Sequence, residues 1–449
     1  MKAVHIVGGG LAGCEAAWQV ARAGGHAILH EMRPLRQTPA HKTDKLAELV
    51  CSNSLKSEQE NSAPWLLKEE LRRLGSLLIG EIAPRTRVPA GHALTVDREL
   101  FAAEITSALE RESRIEIRRE EITALDAENV WIIASGPLTS DALAGEIARM
   151  TGSERLYFYD SISPIVEAES IDMSVAFRAS RYGKSIDGTD DYINCPFDKV
   201  QYEAFLDALL AAGSVPAHIA DDEPSPGNIR YFESCLPIEE IARRGRDTLR
   251  FGPMKPMGLV DPRTDRRPYA VVQLRSENAR SGSYNLVGFQ NHMRFGEQQK
   301  VLRMIPGLER AEFLRYGQVH RNTYINGPAL LSPALQLRTH PHIFFAGQIS
   351  GVEGYVESIA TGLVAGRGAA ALANGETTSV FPRETAIGSL CHYVSGADPV
   401  RYQPANITFD LLPKLDNPPR DRKVRQTEVC RRALAALNDC MVAETEPRG

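Results

Sequence analysis

No apolar run in this chain approaches the ~20 residues that a transmembrane helix needs. Nor does the N-terminus carry the basic start and long apolar core of a secretory signal. Those absences lead us to expect a cytoplasmic protein without a membrane partner. Seven cysteines, at positions 14, 51, 195, 235, 391, 430 and 440, form neither a CxxC pair nor a metal-ligand cluster, so no metal is expected. Their odd count argues against a complete disulfide framework, and reduced thiols are the expectation. The net charge of −5 shows no global basic balance, although a net charge is silent about local patches. With 449 residues, 43% of them hydrophobic, the chain is long enough for two or three domains of about 150 residues.

What is present begins almost at the first residue. Val4, Ile6 and Val7 read as a short buried strand, followed by Gly8-Gly9-Gly10-Leu11-Ala12-Gly13 and the helix-like run from Cys14 to Ala21. The spacing is Gly-x-Gly-x-x-Gly at the start of a βαβ unit. In such a unit Gly8 permits the tight turn, Gly10 lets backbone N–H groups approach a pyrophosphate, and Gly13 lets helix and strand pack closely. The phosphates then face the positive end of the helix. A second strand, Ala27 to His30, ends at Glu31, placed to hold ribose hydroxyls. Strand, glycines, helix, strand and acid in that order indicate a dinucleotide site.

From Met32 to Lys45 the chain is polar and interrupted by Pro34 and Pro39, a loop pattern. Lys45 to Val50 reads as a short helix. Cys51-Ser52-Asn53-Ser54-Leu55-Lys56-Ser57 then allows two readings: a cofactor-lining loop in which Lys56 favours the Cys51 thiolate, or a cap-and-turn segment with an inert cysteine. Helices are expected near 64–75 and 97–109, and strands at 115–117 and 129–137. From about residue 151 the texture shifts to mixed α and β, including a helix over 199–212. Within 241–280, ten basic residues face four acidic ones. Arg243, Arg244, Arg246 and Lys255 belong to this stretch, which is either solvated surface or a polyanion-binding patch. Cys235 directly precedes it, in a field that depresses a thiol pKa. His292 lies in a loop and either faces a ligand or merely satisfies local hydrogen bonds.

The strand Ile343 to Ala346 ends in Gly347-Gln348, and Gly351 and Gly354-Tyr355 lead into a helix of small residues. That arrangement closes an FAD site, the helix aiming its positive end at the flavin. No second Gly-x-Gly-x-x-Gly is present to hold NAD(P)H in a domain of its own. We therefore expect an α/β fold: a discontinuous Rossmann-type FAD-binding domain, 1–150 and 325–449, with an inserted mixed α/β domain over 151–324 for substrate.

Taken together, the N-terminal glycines, Leu49-Val50-Cys51-Ser52-Asn53-Ser54-Leu55-Lys56, Ser180-Arg181-Tyr182-Gly183-Lys184, Asp191 to Pro196, Glu233-Ser234-Cys235-Leu236-Pro237, Arg250 to Pro256 and Gly347 to Tyr355 resemble the folate- and FAD-dependent tRNA (uracil-5-) methyltransferases along nearly the whole chain. The larger wobble-uridine flavoprotein is a sister with a longer chain. The resemblance implies methylation of carbon 5 of the T-loop uridine to ribothymidine. The one-carbon unit would come from 5,10-methylenetetrahydrofolate, with FAD carrying and reducing it and NADH or NADPH as reductant. It also implies that Cys235 adds to carbon 6 of the base, that Cys51 assists, and that His292 stacks near the pterin. Gly8 to Gly13, Glu31, Asn53, Ser54, Gly347, Gln348, Gly351, Gly354 and Tyr355 would bind FAD, and the four basic residues named above would bind tRNA. No fixed protein partner is implied.

Overall fold

The strand Val4–Val7 alternates little in burial, as a strand covered on both faces should, and it lies at the centre of a six-stranded sheet. In this computed structural model, which describes residues 2–152, 156–161, 163–214, 236–317 and 319–445, the sheet order is Gln336–Leu337, His340–Phe345, Val130–Ile133, Val4–Val7, Ala27–His30, Ile115–Arg118. All neighbours are parallel except the first pair. Strands from both ends of the chain thus share one sheet, with Phe344 of the late strand paired to Ile132.

Two helices pack on this sheet back to back. Leu11–Arg22 follows the glycine turn, and Tyr355–Ala373 meets it through Gly362 and Gly366. A Cβ on Gly362 would stand 2.3 Å from the Ala12 carbonyl oxygen, and one on Gly366 would stand 2.6 Å from that of Ala16. Backbone therefore packs on backbone, which brings the N-termini of both helices to the same end of the sheet.

A second six-stranded sheet, with antiparallel neighbours, comprises Phe177–Arg178, Tyr192–Phe197, Ala270–Ser276, Ser283–Leu286, Ile165–Glu167 and Phe313–Arg315. It has its own apolar core, in which Phe205 and Leu206 of the helix Lys199–Ala211 are fully buried. Between the two halves run the antiparallel strands Leu156–Ser161 and Val319–Tyr324. A small sheet of Ser54–Ser57, Ala93–Val96 and Arg87–Val88 adjoins the first core.

One local expectation fails. Residues 45–50 form a turn and not a helix. Their backbone groups bond to distant partners: Leu46 N–H donates to Thr106 Oγ1 at 2.9 Å, and Ala47 N–H donates to the Gly9 carbonyl at 2.8 Å. Ala47 sits at φ +52°, which no helix interior allows.

Candidate active site

The glycine turn and the two helix N-termini open onto a cleft of about 1020 Å³, open solvent at its mouth included. Its lining includes Gly8, Gly9, Gly10, Leu11, Ala12, Glu31, Arg33, Val50, Gly347, Gln348 and Tyr355. Gly8 and Gly13 are required by backbone geometry. Gly8 has φ +107°, and a Cβ there would approach the Ala134 carbonyl oxygen to 2.5 Å; a Cβ on Gly13 would stand 1.9 Å from the Gly8 carbonyl oxygen. Around Gly10 no protein atom lies within 4 Å of a Cβ position. Gly10 thus faces open space in the cleft at the helix N-terminus, a place where an anion such as a pyrophosphate fits.

Glu31 receives the Gly9 N–H at 2.9 Å and is gripped by Arg33 through its backbone N–H, Nε and Nη2. Burial opposes its charge, yet the Arg33 hydrogen bonds hold the carboxyl below its ordinary range. The carboxylate thereby locks the glycine turn while lining the cleft. Gln348, also in the lining, donates to Glu353 at 2.9 Å. Gly347 (φ +76°) lies so close to the first helix that a Cβ would meet that of Ala12 at 2.9 Å. Gly354 caps the helix Tyr355–Ala373.

Tyr355 lines the cleft, and its hydroxyl accepts the backbone N–H groups of Cys51 at 2.9 Å and Ser52 at 3.2 Å. The loop carrying Cys51 is held from above by three largely buried guanidinium groups. Arg98 donates to the Leu49 carbonyl. Arg315 donates to the carbonyls of Val50 at 3.1 Å and Cys51 at 3.4 Å. Arg275 donates to Ser52 Oγ at 2.8 Å and Asn53 Oδ1 at 3.1 Å. Among the described residues, Glu277 at 2.7 Å from Arg98 is the sole carboxylate ion-paired with any of these three. Burial lowers the pKa of Arg275 and of Arg315. Such a cationic surround favours negative charge at a neighbouring thiol.

The three arginines carry no motif in the sequence, and only Arg275 falls within the basic stretch 241–280. The lysine that sequence proximity favours is engaged elsewhere, since Lys56 Nζ pairs with Glu357 at 2.5 Å and with Asn406. Asn53 does not line the cleft, and its amide donates to the Val96 and Ser276 carbonyls at 3.0 and 2.9 Å. Ser54 pairs with Thr95 in the small sheet. Gly351, at φ +95°, abuts Tyr402.

Cys235 lies outside the described residues. His292 is buried and does not line the cleft. Its backbone N–H donates to Glu239 at 2.8 Å, and burial lowers the pKa of its ring. Arg243 pairs with Glu240, and Arg246 with Glu203 and Asp207, while Arg244 and Lys255 are exposed. Among the described residues no group of three or more His, Cys, Asp or Glu could hold a metal ion. No helix among them is long and apolar enough to cross a membrane.

The family model described as glucose inhibited division protein A matches residues 3–377. A methylenetetrahydrofolate–tRNA-(uracil-5-)-methyltransferase of Solibacter usitatus is 70% identical over 98% of both chains. This chain belongs to that methyltransferase family. A Koribacter versatilis member is 62% identical over 96% of each chain. Membership makes the chain an enzyme and its first sheet part of a Rossmann-type FAD-binding fold. The structure of Aquifex aeolicus GidA is similar in fold, with a TM-score of 0.69 at 16% identity, the match covering 97% of this chain and 76% of that one.

Proposed function

We propose that this methyltransferase binds FAD in the cleft. It methylates carbon 5 of the T-loop uridine of tRNA, taking the carbon from 5,10-methylenetetrahydrofolate, with NADH or NADPH as the source of electrons. The observation that carries this reading is Tyr355, which lines the cleft and also accepts the Cys51 N–H. A thiol-bearing loop is thereby tied to the cleft, which supports the reading, and membership of the family supplies the substrate class.

When bound, reduced FAD supplies the electrons that turn the folate's methylene unit into methyl. The chain's own part is at the base. The Cys235 thiolate adds to carbon 6 and makes carbon 5 nucleophilic. After carbon 5 has taken up the one-carbon unit, its proton must leave, and Cys51 receives it; loss of the Cys235 thiolate then restores the ring. The arginines above the Cys51 loop support this role, since a base that starts as thiolate needs a cationic surround. The uridine must first leave its stack, at a cost of a few kcal/mol.

The test is methyl transfer to unmodified tRNA with 5,10-methylenetetrahydrofolate and a reductant, together with trapping on 5-fluorouracil T-loop RNA. Cys235→Ala is expected to form no covalent adduct. Cys51→Ala is expected to form the adduct and yet transfer no methyl. The reverse pattern exchanges the two roles, and normal turnover in both variants removes the cysteines from the mechanism.

A further inference from the structure

Tyr182 is the only aromatic among the described non-glycine residues at positive φ (φ +58°, ψ +23°). A bulky side chain in that region is strained and persists where the surroundings over-determine it. Here they do. The Tyr182 N–H donates to the Gly258 carbonyl at 2.7 Å. Gly258 is itself at φ +80°, and a Cβ on it would stand 2.7–2.8 Å from three atoms of the tyrosine ring. The ring is thus packed onto a glycine backbone that leaves no room for a side chain, and yet Tyr182 is 63% exposed.

The surroundings are cationic. Lys184 Nζ stands 5.8 Å from the ring centroid. Arg181 donates to the Met257 carbonyl at 2.8 Å, and Arg267 contacts the Met257 sulfur. Lys255 and Arg266 are exposed on the same segment. The platform is also tied to the candidate active site. Arg181 Nε donates to Gln273 Oε1 at 2.7 Å. Two residues along the strand Ala270–Ser276, on the same face and about 7 Å away, Arg275 grips Ser52 and Asn53 beside Cys51.

We propose that Tyr182 is a stacking platform for an unpaired nucleobase of the RNA substrate, with Lys184 and the neighbouring arginines holding the adjoining phosphates. This rests on the tRNA-modifying function proposed above. An exposed aromatic face with a lysine beside it and arginines on the adjoining segment is the chemistry that binds single-stranded RNA segments, and a uridine drawn out of a folded loop leaves such bases unpaired beside it. The strain at Tyr182 and the bare backbone of Gly258 keep the ring presented before RNA arrives.

The test measures the affinity of the full-length, FAD-loaded protein for an unmodified tRNA transcript at fixed salt. Absorbance of bound FAD and the melting temperature serve as folding controls. Tyr182→Ala and Tyr182→Leu should each weaken binding by roughly 5- to 150-fold, the range for loss of one base stack. Tyr182→Phe and Tyr182→Trp should stay within about twofold of the parent, because the π face is retained. Lys184→Gln should lower the slope of log affinity against log salt by about one, whereas Tyr182→Leu should leave that slope unchanged. Parent-like binding by Tyr182→Leu would overturn the platform, as would an equal loss in Tyr182→Phe. Parent-like tRNA binding by Tyr182→Ala together with a changed sedimentation coefficient would mark the patch as a protein interface and also overturn it. Absence of tRNA binding by the parent protein would instead remove the proposed function, and the platform with it.

Discussion

At Gly10 an added Cβ meets no protein atom within 4 Å, whereas at Gly13 it would overlap a carbonyl oxygen at 1.9 Å, so substitution separates binding from folding. Gly10→Val should fold with a loss of no more than about 1–2 kcal/mol, mostly from a poorer helix N-cap, and purify colourless. A yellow Gly10→Val protein with full FAD content would place the pyrophosphate elsewhere. At Cys51 the informative neighbours are arginines. Replacing Arg275 with Met removes one cation from the cluster and should slow iodoacetamide alkylation of Cys51 at neutral pH by roughly tenfold, followed by peptide mapping. Faster alkylation would show that Arg275 chiefly keeps the loop closed.

A helix start buried in the first core depends on a carboxyl from another helix. Glu70, in Ala63–Arg73, accepts the N–H groups of Ala386 at 2.7 Å and Ile387 at 2.9 Å, at the first turn of Ala386–Gly396. These donors have no partner within their own helix. Burial pushes the Glu70 carboxyl up to about 8, against 4.5 when free. Between those values the folded protein holds a proton that the unfolded chain releases. Stability contributed at this site therefore falls as pH rises from about 4.5 towards 8 and is level above that. Melting temperatures across this range should show the decline in the parent protein and a flatter profile in Glu70→Gln. An unchanged profile would assign the pH dependence to other groups.

Across the whole molecule, the basic stretch is less free than its composition implies. Arg243, Arg246, Arg250 and Arg263 each pair with a carboxylate. Among the described residues no carboxylate pairs with Lys255, Arg266 or Arg267. Exposed ion pairs are worth little, so phosphates can displace them, but the carboxylates stay nearby and repel. Neutralising Lys255, Arg266 and Arg267 together should flatten the salt dependence of tRNA affinity by up to about 2.7 in log–log slope. Neutralising Arg243, Arg244 and Arg246 should flatten it less. The opposite ranking would move the RNA path to the helix Ile238–Arg243.

Local sequence determined the glycine turn because each requirement there is backbone geometry within a few consecutive residues: a positive φ at Gly8, open space at Gly10 and close packing at Gly13. The strand pattern of Val4 to Val7 and the small residues of Tyr355–Ala373 were legible for the same reason, since periodicity and side-chain size act locally. Tertiary structure alone decided the surroundings of Cys51. Arg98, Arg275 and Arg315 come from three distant elements and act through space, so no spacing in the sequence announces them, and the nearby Lys56 is drawn to Glu357 instead. The same holds for residues 45–50. Their apolar pattern suits a helix, but hydrogen bonds to Gly9, Thr106 and Arg98 bind the backbone more favourably as a turn, and those partners meet only once the sheet has formed.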